Sequence, residues 1–216
     1  MVITIDGPAG SGKSTVARTI ARRLGFRYID TGAFYRAFTW KAIKAGADLT
    51  DEAGLCKLVK ETGIKIEDGR EGIRVLVDGQ DVTGEIRGAD VTNKIHFIAG
   101  RANLRKPVVE LQRAAAAGGV DVVAEGRDTG SVVFPDAERK FYLDAQPEER
   151  ARRRYAEFRN DGKDVSYERI LEDLKKRDRR DSTREASPLC TGPEFIHLDT
   201  TGLSVEEVVE RLLKKI

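Results

Sequence analysis

Apolar and polar positions alternate between two periods along this chain. Val2-Ile3-Thr4-Ile5 is a short apolar run, the mark of a strand buried on both faces. Val16, Ala17, Ile20, Ala21 and Leu24 then recur at helical spacing, and Gly25 suits a stop. Residues 26–29 read as a second strand ending at Asp30-Thr31-Gly32, with a helix from Tyr35 to Lys44 closed by Gly46. Ile64-Lys65-Ile66 and Ile73-Arg74-Val75-Leu76-Val77 flank the turn Asp68-Gly69, and Asp78-Gly79 is a second turn signal, so a small antiparallel insertion is expected here. Residues 103–117 read as a helix with Pro107 in its first turn. Strands are expected at 120–124, ending at Glu125-Gly126-Arg127-Asp128, at 141–143 and at 195–198. Residues 147–184 are charge-dense and helical, and Ser204-Val205-Glu206-Glu207 is a capping box opening a last helix. Strands alternating with helices predict an α/β fold with a parallel central sheet covered on both faces.

The 216 residues suffice for one compact α/β domain and are tight for two. With 38 basic and 36 acidic residues, the net charge of +2 gives no reason to expect nucleic acid or a membrane surface as partner. Cys56 and Cys190 lack metal-ligand spacing, and a reduced, cytoplasmic setting is expected. The first apolar run is too short for a signal peptide, and no stretch approaches membrane-spanning length.

Between the first strand and the first helix stands Gly7-Pro8-Ala9-Gly10-Ser11-Gly12-Lys13-Ser14, followed by Thr15, and these eight residues fit G-x-x-x-x-G-K-[ST] in its required context. Glycines let successive N–H groups turn toward one anion, and the helix N-terminus adds donors. Lys13 can reach the β and γ phosphates, and the Ser14 hydroxyl can ligate Mg²⁺. A ligand-free turn would explain neither the lysine nor the hydroxyl, so a nucleoside triphosphate belongs here. A GTP switch is not supported: Asn93-Lys94-Ile95-His96 lacks the aspartate of N-K-x-D, and Asp81-Val82-Thr83-Gly84 lies inside the insertion. A small-molecule kinase needs a second anion site. Arg36, one turn beyond Thr31-Gly32, and Arg127, in Gly-Arg-Asp, both follow strand ends, where open α/β sheets bind ligands. Glu125 or Asp128 is a candidate to assist Mg²⁺. Most of the arginines of 148–186 are, taken singly, better read as solvated helix charges.

DGPAGSGKST, DTGAFYR, EGRDTGSVVFPDA, YLDAQPEERARRR and KKRDRRDSTREASPL together resemble the bacterial cytidylate (CMP) kinase family of P-loop nucleoside monophosphate kinases, in order and spacing over essentially the whole chain. The resemblance implies a single three-layer P-loop kinase domain over 1–216, with a parallel central sheet, an acceptor-binding β insertion at about 62–90 and a helical lid at about 148–186. It implies Mg²⁺·ATP as donor, CMP or dCMP as acceptor, and CDP or dCDP as product. It implies that residues 7–15 bind ATP and that Arg36 and Arg127 hold the acceptor phosphate. Thr31, Arg105 and Asp128 would meet cytosine, and Arg177 and Asp181 the ribose. Arg184 would also contact the acceptor, and Arg150 and Arg154 would close over ATP. With Lys13 and Arg127, that pair completes the expected catalytic set. His96 departs from the small hydroxyl residue the family commonly has nine positions before Arg105. A related kinase using UMP, AMP or a non-nucleotide acceptor, and a nucleotide-dependent RNA-binding protein, remain the alternative readings. With no heptad pattern, a monomer is expected.

Overall fold

The computed structural model describes residues 1–69, 72–160, 162, 164–189 and 192–216, so Cys190 lies outside the described residues. In chain order the elements are β1 (Val2–Asp6), α1 (Lys13–Leu24), β2 (Arg27–Asp30), α2 (Thr31–Lys44), α3 (Glu52–Glu61), β3 (Ile64–Gly69), β4 (Gly72–Val77) and β5 (Gln80–Asp81). A 3₁₀ turn (Glu85–Arg87) follows, then α4 (Ala89–Lys94), α5 (His96–Ala99), α6 (Ala102–Ala115) and β6 (Val122–Gly126). A π turn (Thr129–Val133) leads to β7 (Arg139–Asp144), α7 (Pro147–Asn160), α8 (Tyr167–Thr183), β8 (Ile196–Asp199) and α9 (Val205–Leu213).

The chain forms two compact units: Met1–Tyr28 with Asp121–Ile216, and Ile29–Val120. The five-stranded sheet has the order β2-β6-β1-β7-β8, and all of its strands but β2, which ends in the second unit, belong wholly to the first. β1 runs parallel to β6 and β7, and β7 parallel to β8. Burial explains the parallel arrangement. Ile3, Thr4, Ile5 and Asp6 are fully buried, as are Val122, Val123 and Ala124, so no face is left for water. α1 turns Val16, Ala17, Ile20 and Ala21 inward and ends at Gly25, whose φ of 70° and N–H bond to the Ala21 carbonyl make a left-handed cap. α9 opens with Ser204 and Glu207 bonded reciprocally, the expected capping box. α7 and α8 close their own apolar seam, Ala151, Ile170 and Leu174 with Tyr155, Phe158 and Leu171, and Ala9 of the glycine loop sits in it.

The second unit carries the antiparallel sheet β3-β4-β5. Several features depart from the sequence pattern. Asp68 and Gly69, expected as a turn, are the last residues of β3, paired with Ile73 and Gly72. α4 and α5 were not expected. α2 begins at Thr31 rather than Tyr35, because the Asp30 carboxylate accepts the Ala33 N–H and caps it. α3 was not expected at all. α6 starts early enough to hold Pro107 inside it, and Pro107 has no N–H to give the Asn103 carbonyl.

Candidate functional site

Gly7, Gly10 and Gly12 have φ of 154°, 77° and 88°, conformations that side chains resist. A Cβ on Gly7 would stand 2.0 Å from the Leu143 carbonyl oxygen. The loop therefore wraps Lys13, which is buried and donates to the Pro8 carbonyl at 3.1 Å. Burial pulls the Lys13 ammonium down to about 7, and the Arg127 guanidinium adds to the fall. A buried lysine at a helix N-terminus, close enough to Arg127 to feel its charge, makes a place for a polyanion.

The next side chain, Ser14, donates to Glu125 Oε1 at 2.6 Å, and the Tyr28 hydroxyl donates to the same oxygen at 3.3 Å. Among the described residues no group of three histidine, cysteine or acidic side chains could hold a metal. A serine hydroxyl beside one carboxylate suits Mg²⁺, which is held largely through phosphates and waters. The donor set fits.

Arg127 donates to Asp181 Oδ2 at 2.9 Å and to the Gly126 carbonyl at 3.3 Å. Burial pushes the Asp181 carboxyl up, but Arg127 and Arg177 outweigh it and hold the group below its usual value. Arg177 lies 3.9 Å from the same carboxylate, and Arg184 pairs with Asp128 at 3.5 Å. So Lys13, Arg127, Asp128, Arg177, Asp181 and Arg184 are gathered in one unit. Arg150, nearly fully buried, donates to the Ala9 carbonyl at 3.0 Å and to Asp178 at 2.6 Å, which seats the loop on α7 and α8. Arg154 is half-exposed on its own helix, bonded to Glu157 at 2.7 Å and stacked 4.5 Å from the Phe158 ring centre.

Thr31, Arg36 and Arg105 belong to the second unit. The Thr31 carbonyl accepts from Gln112, fixing the first turn of α2 against α6. Arg36 donates to the Ile86 carbonyl and Thr92 at 3.3 and 3.0 Å. Arg105 is buried, donates to the Ala99 carbonyl at 2.8 Å and lies 4.8 Å from the Tyr35 ring centre. The His96 ring rests 4.3 Å from that of Phe97.

The residue pattern missed Arg153. It donates to Glu149, to the Thr200 hydroxyl and to the Thr200 carbonyl at 2.9, 3.1 and 2.6 Å, and Thr200 bonds the Ser11 carbonyl at 3.3 Å. Only its i,i+4 spacing from Glu149 was visible. Asp6 was missed too: its carboxylate accepts the N–H groups of Thr129 and Gly130 at 2.9 and 2.7 Å.

A family model described as cytidylate kinase matches residues 3–216. A cytidylate kinase of Geobacillus kaustophilus (strain HTA426) is 49% identical over 212 residues, spanning 98% of this chain and 94% of the relative. That of Carboxydothermus hydrogenoformans (strain ATCC BAA-161 / DSM 6008 / Z-2901) is 49% identical over 216 residues, spanning 100% and 97%. Among solved structures, a gluconokinase from Sinorhizobium meliloti 1021 superposes with a TM-score of 0.51 at 16% identity, over 99% of this chain and 89% of the other, a likeness of fold alone.

Proposed function

The chain belongs to the cytidylate kinase family, and from that premise we propose how its residues share the work. The enzyme transfers the γ-phosphoryl group of ATP to CMP or dCMP, giving CDP or dCDP. An acceptor phosphate oxygen attacks the γ-phosphorus, the bond to the β–γ bridging oxygen breaks, and ADP leaves. The attacking oxygen is already ionised, so no general base is needed. What remains is positioning and neutralisation of charge.

The observation that carries this reading is the buried Lys13, its charge depressed by burial and by Arg127. Residues 7–15 bind the ATP phosphates. Arg127 and Arg36 hold the acceptor phosphate, Thr31, Arg105 and Asp128 the cytosine, and Arg177, Asp181 and Arg184 the rest of the acceptor. Arg150, already on the Ala9 carbonyl, serves the ATP side with Arg154. Ser14, bonded to Glu125, would hold Mg²⁺, which when bound would supply neutralisation of the phosphate charge. Residues 148–186 form a lid whose closure excludes water, so that ATP is not simply hydrolysed. We assign the reaction to a monomer in the cytoplasm.

The test is ADP release with Mg²⁺·ATP and separate aliquots of CMP, dCMP, UMP, AMP, GMP and shikimate. Turnover with CMP and dCMP alone is expected. Preference for another acceptor would move the specificity argument to His96, and no acceptor-dependent turnover would overturn the reading.

A further inference from the structure

The phosphoryl-transfer reading uses Lys13 and Arg127 but leaves unexplained the fully buried Asp6 carboxylate. Asp6 ends β1, and Gly7 of the phosphate loop follows it directly. In the ladder Asp6 stands opposite Gly126, the last residue of β6. Its side chain then reaches past Arg127 and Asp128 to accept two N–H groups, Thr129 on Oδ1 and Gly130 on Oδ2. Arg127–Asp128 is thus pinned on both sides by one residue, by its backbone before and its carboxylate after. The turn is pressed close: a Cβ on Gly130 would meet Thr4 Oγ1 at 2.6 Å and the Phe195 ring at 2.9 Å.

We infer that Asp6 is a positioning residue of the phosphoryl transfer, holding the Arg127–Asp128 turn in fixed register with the phosphate loop. The inference rests on the kinase reading given above. The chemistry singles out a carboxylate. Two N–H donors converge on the side chain, and only an ionised carboxylate offers an acceptor to each; an amide would turn an N–H toward one of them. Burial drives Asp6 up to about 6, partly offset by the two N–H groups. At pH 7 and above it is therefore mostly the charged form, the one that fits. A buried charge is expensive to keep. It is explained here by what the turn carries: the guanidinium that meets the acceptor phosphate, launched from the same point as the loop that meets the donor. In-line transfer is sensitive to displacements of about 1 Å, enough to lose roughly 10²-fold in rate.

The experiment is a double-mutant cycle of Asp6→Asn and Arg127→Ala, read as kcat, KM for CMP and, separately, ATP affinity and melting temperature. Asp6→Asn is expected to lower kcat/KM for CMP by about 10²-fold and to leave ATP affinity within about twofold, since the phosphate loop itself is untouched. In the Arg127→Ala background it should add little, because it acts through Arg127. Unchanged turnover, additive losses in the cycle, or an ATP affinity that falls in step with that for CMP would each overturn the assignment. Should Asp6→Asn fail to fold, replacing the Gly130 amide by an ester deletes one donor and leaves the carboxylate, and the same cycle is read with it. Loss of turnover in Arg127→Ala alone tests the kinase reading independently.

Discussion

Lys13 shows how a single side chain can be tuned by its surroundings. Its ammonium has a carbonyl for company but no counter-ion that outweighs burial and Arg127, and it falls to about 7 from the usual 10.5. A triphosphate bound there would reverse that balance and raise it again. With the free group at about 7, binding at pH 8 should then take up close to one proton. The sign follows: ATP affinity weakens as pH rises above 7, by up to about tenfold per unit until the pKa of the complex is passed. Calorimetry at pH 8 in two buffers of different ionisation enthalpy measures the uptake. Lys13→Met should abolish it and cut turnover by about 10²-fold or more; an unchanged proton balance in the wild type would contradict the account. Lys13 was legible in the sequence because its chemistry is written in nine contiguous residues. Arg153 was not, because its partners Thr200 and Ser11 lie 47 and 142 residues away and no local spacing announces them.

The strand–loop–helix formed by β1, the glycine loop and α1 gives the same lesson for elements. Its glycines differ in what they permit. At Gly7 a Cβ would meet a backbone oxygen at 2.0 Å, while at Gly25, also left-handed with φ 70°, it would meet nothing within 4 Å. Gly25→Ala should therefore cost only the left-handed strain, about 1 kcal/mol. Gly7→Ala should cost that plus about 1–3 kcal/mol of overpacking and lose ATP binding as the loop shifts. Thermal melts of the two variants side by side decide it, and equal melting temperatures would refute the steric argument. Elements with a loop motif or clean periodicity were readable: β1, α1, the antiparallel insertion, and the capped α9. α3 was overlooked although Asp51 caps it and Leu55 and Val59 bury one helical turn apart. The start of α2 was misplaced because Thr31-Gly32 reads as a turn until the Asp30 carboxylate is seen to cap it. α4 and α5 are too short, at six and four residues, to show a period.

At the scale of the whole molecule, the chain leaves one unit at Tyr28 and returns to it at Asp121. β1 finds its neighbours only after that excursion, pairing Val2 with Val122 and Ile5 with Phe141. Alternation of strands and helices foretold a parallel sheet, but strand order is a property of long-range pairing that local patterns do not encode. The division has a functional corollary. Lys13 and Ser14 belong to the first unit; Thr31, Arg36 and Arg105 belong to the second. If the second set serves the acceptor alone, substitutions there should separate the two substrates kinetically. Arg36→Ala removes a guanidinium that bonds, among others, the Ile86 carbonyl and Thr92. Losing a charge-assisted contact to the acceptor phosphate should raise KM for CMP by more than about tenfold while ATP affinity, measured by displacement of a fluorescent nucleotide, stays within about twofold. Lys13→Met should show the converse, weakened ATP with CMP binding retained. An Arg36→Ala enzyme with an ordinary KM for CMP would remove that arginine from the acceptor side. An ATP affinity that fell in step would mean that the two substrates do not divide between the two sets of residues.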